Sequence, residues 1–135
     1  MGIVHLAVAS HQCTFEIWDG DIDQSEVHAH LFRLAEDAAW PPGALNLVDL
    51  STVGTISIPD PELIALLREG TVLENEFKTA LVVRSEFLDP SAPQYDEAAR
   101  ATGATAFAEI RSASEHLGIP LQVSLNFMER LRQSL

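Results

Sequence analysis

With a single cysteine, Cys13, in 135 residues, the chain cannot build an internal disulfide framework. That scarcity suits a reducing compartment, so a cytoplasmic location is expected. No apolar run approaches the roughly 20 residues that a membrane-spanning helix needs. Positive charge is also scarce: eight Lys and Arg stand against twenty Asp and Glu, giving a net charge of −12. Such a surface repels phosphate backbones and anionic headgroups, which argues against nucleic acid as a partner. Glycine-rich phosphate loops and a G-x-S-x-G nucleophile elbow are both missing. The opening "MGIVHLAVAS" has no basic start and no small-residue cleavage site, and reads as a first strand rather than a signal peptide. It also lacks the hydroxyl residue at position six that myristoylation requires. No internal repeat, low-complexity tract or long linker divides the chain. One domain is expected over 1–135, with 119–135 as a C-terminal helical extension.

What is present is a core-forming pattern, since 47% of the residues are hydrophobic. Ile3 to Ala9 and Thr14 to Trp18 favour strands, and the polar "SHQC" between them predicts an antiparallel hairpin. Asp19-Gly20 predicts a turn. Asp23 and Glu26 then have the spacing of a capping box. Val27, Leu31, Leu34, Ala35 and Ala38 recur at helical spacing, which puts Glu26, His30, Arg33 and Asp37 on the surface. "WPPG" at 40–43 stops that helix. Leu45 to Leu50 reads as a central strand. The hydroxyl-rich stretch after it reads as a loop leading to a helix capped by Asp60, started by Pro61 and ended by Gly70. "TALVVRS" at 79–85 and "TAFAEI" at 105–110 are further strands, with a weaker helix at 93–102 between them. Ser112 and Glu115 have capping-box spacing for a helix ending at Gly118. Pro120 can start a last helix, with Val123, Phe127, Met128, Leu131 and Leu135 facing the body. A hairpin followed by alternating strands and helices gives an α/β fold with a single mixed β-sheet, parallel in its later part.

Residues able to carry chemistry do not converge in the sequence. "DGDID" at 19–23 begins like a calcium loop, but Gln24 stands where the loop needs glycine, and His30 where it needs glutamate. The five histidines and Cys13 show no zinc spacing. No metal, cofactor or catalytic residue is therefore assigned, although clustered carboxylates near Asp19, Asp21 and Asp49 stay open as an enzymatic alternative. Ser51, Thr55 and Ser57, between a strand and a helix N-terminus, are regulatory-loop candidates. Leu63, Leu66, Leu67, Phe77 and Phe107 are candidates to line an apolar pocket, although in most such domains residues of this kind are simply core. Trp40 is an interface candidate because large aromatics dominate binding energetics.

Gly20-Asp21-Ile22-Asp23 before a helix, "LVDLS" at 47–51, "KTALVV" at 78–83, and Phe107 followed by "EHLG" at 115–118 together resemble the SpoIIAA-like branch of the STAS-like fold. The resemblance spans roughly Cys13 to Gly118, and the last motif carries His116 where that branch usually has tryptophan. It implies a non-enzymatic regulatory or protein-interaction module, self-associating as a dimer or binding another protein. The fold's likeness to CRAL-TRIO lipid-binding domains implies the alternative, a carrier or sensor of a small apolar ligand. Anti-sigma-factor antagonists of this fold carry a phosphorylated serine in "D-S-S-G". Laid on that pattern, "T-I-S-I-P-D" at 55–60 puts Ser57 at the aspartate and Ile58 at the phosphoserine. Ser57 is then the nearest hydroxyl, one residue away.

Overall fold

The computed structural model describes residues 2–37, 44–57, 78–84 and 105–135. Among them, five strands form one sheet in the order β1-β2-β3-β4-β5. β1 (Gly2–Val8) runs antiparallel to β2 (Cys13–Asp23) over seven consecutive residue pairs. β3 (Leu45–Ser57), β4 (Lys78–Val82) and β5 (Thr105–Phe107) follow in parallel. The mixed α/β sheet expected from the sequence is the one observed. A short 3-10 turn at Ala9–His11 joins the first two strands, and Gln12 takes a left-handed conformation, φ 45°, to reverse the chain.

α1 (Gln24–Asp37) begins at the expected capping box: Glu26 N–H donates to Asp23 Oδ1 at 2.9 Å, and Asp23 N–H to Glu26 Oε2 at 3.0 Å. α2 (Ile110–Leu117) ends at Gly118, whose φ of 74° explains the glycine there. It begins two residues before the expected Ser112, with Glu109 at its N-cap and no side-chain cap, so the Ser112–Glu115 box does not form. β5 is correspondingly short, stopping at Phe107 rather than Ile110. α3 (Leu121–Gln133) starts after Pro120 as expected.

The two sheet faces differ. Odd-numbered Cys13, Phe15 and Ile17 on β2 join Leu47, Ala80 and Val82 against Ala113 and Leu117 of α2 and Met128 and Leu131 of α3. Phe127 stacks on Phe15 with ring centroids 5.2 Å apart. Ser124 takes a fully buried place on α3, donating to or accepting from Ser114 at 2.6 Å, whereas Leu135, expected to face the body, is 44% exposed. The other face carries Ile3, Trp18, Ile22, Val48 and Val53 with Val27 of α1.

β3 corrects two sequence expectations. Asp19-Gly20 does not turn the chain back: Gly20 does adopt a positive φ of 74°, but β2 continues to Asp23 beside β3. The hydroxyl-rich stretch is strand through Ser57 rather than loop. β3 spends thirteen residues alongside eleven in β2, and two register shifts absorb the excess. At the first shift, Asp49 Oδ1 accepts the Ser51 N–H at 2.9 Å and its hydroxyl at 2.6 Å. At the second, a Cβ on Gly54 would stand 2.9 Å from Asp21 Oδ1, so glycine permits the close approach.

Candidate functional site

β2 alternates "CTFEIW", which by strand periodicity sends Thr14 and Glu16 to the face opposite Phe15. That face is covered, so both are buried, Glu16 with only 2% of its surface exposed. Its partner is His30 of α1, 0% exposed, with Nε2 2.5 Å from Glu16 Oε1. The expectation that His30 lies on the surface is therefore corrected: it shares the inward face of α1 with Val27, three residues earlier.

A polar nest surrounds this pair. The Trp18 indole N–H donates to Glu16 Oε1 at 3.3 Å, and the Asn46 side chain of β3 also hydrogen-bonds Glu16. His5 of β1 and Trp18 present their rings edgewise to His30, at 5.5 and 5.8 Å between centroids. Burial alone would raise the pKa of Glu16. The charge of His30 and the hydrogen bonds from His30, Trp18 and Asn46 outweigh it and hold the carboxyl below its ordinary value. Glu16 Oε2, His30 Nδ1 and Thr14 Oγ1 meet no hydrogen-bonding partner among the described residues. The arrangement ties β2, β3 and α1 together, with Glu16 and His30 themselves buried.

A second cluster forms at the first shift of β3. Asp49, 3% exposed, receives Ser51 on one oxygen and Arg132 of α3 on the other, at 3.0 Å. It fixes the end of α3 to the sheet. Ser51, a regulatory-loop candidate, is thus a strand residue committed to Asp49; a phosphate on it would bring about −1.5 to −2 charges beside that carboxylate. Thr55 and Ser57 have strand backbone, paired toward β2 at Ser57. Of the pocket candidates, Phe107 packs half-buried on the α2–α3 side, its ring 5.2 Å from that of His116. Leu63, Leu66, Leu67, Phe77 and Trp40 lie outside the described residues.

Among the described residues, Asp49 contacts Ser51 and Arg132 rather than Asp19 or Asp21, and Asp21 is exposed beside Gly54. Cys13 is fully buried, and burial pushes its thiol up to about 12, which leaves it a packing residue. Among the described residues, no three His, Cys, Asp or Glu side chains group to hold a metal ion, and no helix is long and apolar enough to cross a membrane.

Neither a family model nor a curated protein matches the chain. The architecture places it in a defined class nonetheless: one mixed five-stranded sheet, opened by an antiparallel pair and continued in parallel, is a SpoIIAA-like, STAS-like fold. A solved structure with this fold is an uncharacterised protein of the DUF3478 family from Shewanella loihica PV-4. It superposes with a TM-score of 0.61 at 19% identity, covering 86% of this chain and 94% of that one.

Proposed function

We propose that the protein is a non-enzymatic interaction module of the STAS-like type, acting in the cytoplasm by pairing with another polypeptide. The observation that carries this reading is β1. It is the outer strand of the sheet as described, seven residues long, with no proline, no Asp, Glu, Lys or Arg, and no break in its register with β2. Proteins that keep an edge from pairing give it charges, prolines, bulges or brevity. β1 has none of these devices, and an extended backbone edge is what strand-adding partners recognise. The acid–base groups support the same reading, because Glu16, His30 and Asp49 are spent on holding the fold together.

The test is a photo-cross-linking side chain at Ala7, with the protein kept at native abundance and its adducts and organic extract both identified. A discrete protein adduct is expected. No adduct, together with a stoichiometric apolar molecule in the extract, would replace the interaction module with the carrier of a small apolar ligand.

A further inference from the structure

We infer that β1 is the seam of a symmetric homodimer, in which two copies pair their β1 strands antiparallel about a two-fold axis at His5. The inference rests on the interaction-module reading and names its partner. Two five-stranded sheets would then join into one.

The sequence of the strand is matched to itself. In a register centred on His5, Val4 stands opposite Leu6, Ile3 opposite Ala7, and Gly2 opposite Val8. Opposed residues of an antiparallel pair point to the same face. Val4 and Leu6 both belong to the rim of the core under α2 and α3, so partner side chains would extend that core rather than cross to the other face. Val4, Leu6 and Val8 are only partly buried within their own chain, which leaves apolar surface for a second copy to cover. Each small residue meets a larger one, so the seam has neither a row of gaps nor a row of clashes.

Charge selects the same place. A chain of net charge −12 repels its own copy over most of its surface. β1 contains no acidic residue, so two copies can align along it without opposing carboxylates within the strand. At the Gly2 end the edge opens onto a groove of about 400 Å³, shared with Glu26, Ala29 and Arg33 of α1, so among the described residues nothing walls off a second strand there.

Sedimentation equilibrium over a micromolar concentration series should give twice the 14.7 kDa chain mass. Ala7→Lys, with far-ultraviolet circular dichroism unchanged, should weaken association at least tenfold by placing a charge on the seam. The register is read by disulfide trapping. His5→Cys puts two thiols directly opposite, about 4.5–5.5 Å apart at Cβ, close to disulfide reach. Mild oxidation should yield a covalent dimer, and Ala7→Cys should not. Native Cys13 is buried and silent. A wild-type monomer throughout the series would overturn the homodimer yet leave the module reading to the Ala7 adduct. A dimer that ignores Ala7→Lys and is not trapped by His5→Cys would overturn the seam, as would trapping through Ala7→Cys instead.

Discussion

The two faces of the sheet are built on opposite principles. Beneath α2 and α3 the contacts are mostly apolar, with the Ser114–Ser124 hydroxyl pair as a polar staple between the helices and the Asp49–Arg132 pair at the end of α3. Beneath α1, the sheet buries the Glu16–His30 ion pair, the Trp18 indole N–H and the Asn46 amide. Burying Phe15 or Met128 stabilises by about 1.5–3 kcal/mol each, with little dependence on orientation. Burying Glu16 and His30 costs desolvation that only good geometry offsets, so that face gains specificity more than stability. The dry face holds the sheet together, and the polar face dictates how α1 docks.

The sharpest break of this contrast is removal of one member of the buried pair. His30→Ala should destabilise by about 3–5 kcal/mol in chemical denaturation, because Glu16 is left charged and unpaired. Replacing both at once, Glu16→Leu with His30→Leu, should recover most of that loss. If the double variant is no better than His30→Ala, the polar face is stabilising in its own right. On the dry face, Met128→Ala should cost about 2–5 kcal/mol through lost burial and a cavity, with no rescue by a second substitution.

A pH series separates the faces without changing more than one residue. Glu16 is held below the ordinary carboxyl value of 4.5 in the fold, so the folded state favours its ionised form. Its contribution is complete above the unfolded value and is lost as pH falls through the lower folded one. Stability should therefore fall below about pH 5 more steeply in the wild type than in Glu16→Gln, whereas Met128→Ala should shift the curve without reshaping it. The smallest effect expected is Asp23→Ala, about 1 kcal/mol, because it removes one half of the box that caps α1.

Much of the frame was readable from local signals. The hairpin spacing, the Asp23–Glu26 box, the Gly118 stop and the helix after Pro120 depend on residues within a few positions of one another. The unread part depends on distant neighbours. Thr14 and Glu16 alternate like a solvent-facing row, and His30 looks like a surface helix residue; burial reverses both because α1 lies over that row. Asp19-Gly20 did signal a left-handed residue, but β3 runs alongside and keeps the chain in the sheet. Likewise, "STVGTIS" has turn-rich composition, yet β2 supplies its backbone partners and Asp49 satisfies the amide at the shift.

Among the described residues, the sequence by itself determined most of the element types, their order and several of their ends, because these follow from side-chain periodicity and from caps that close within one turn. The helices expected from Asp60 to Gly70 and over 93–102 lie outside those residues. Only the tertiary structure decided which polar residues are interior, that the stretch to Ser57 is strand, and that β1 lies at the margin of the sheet formed by the described residues. Each of those is a relation between segments far apart in the chain. Desolvation and strand pairing act on what finally stands next to what.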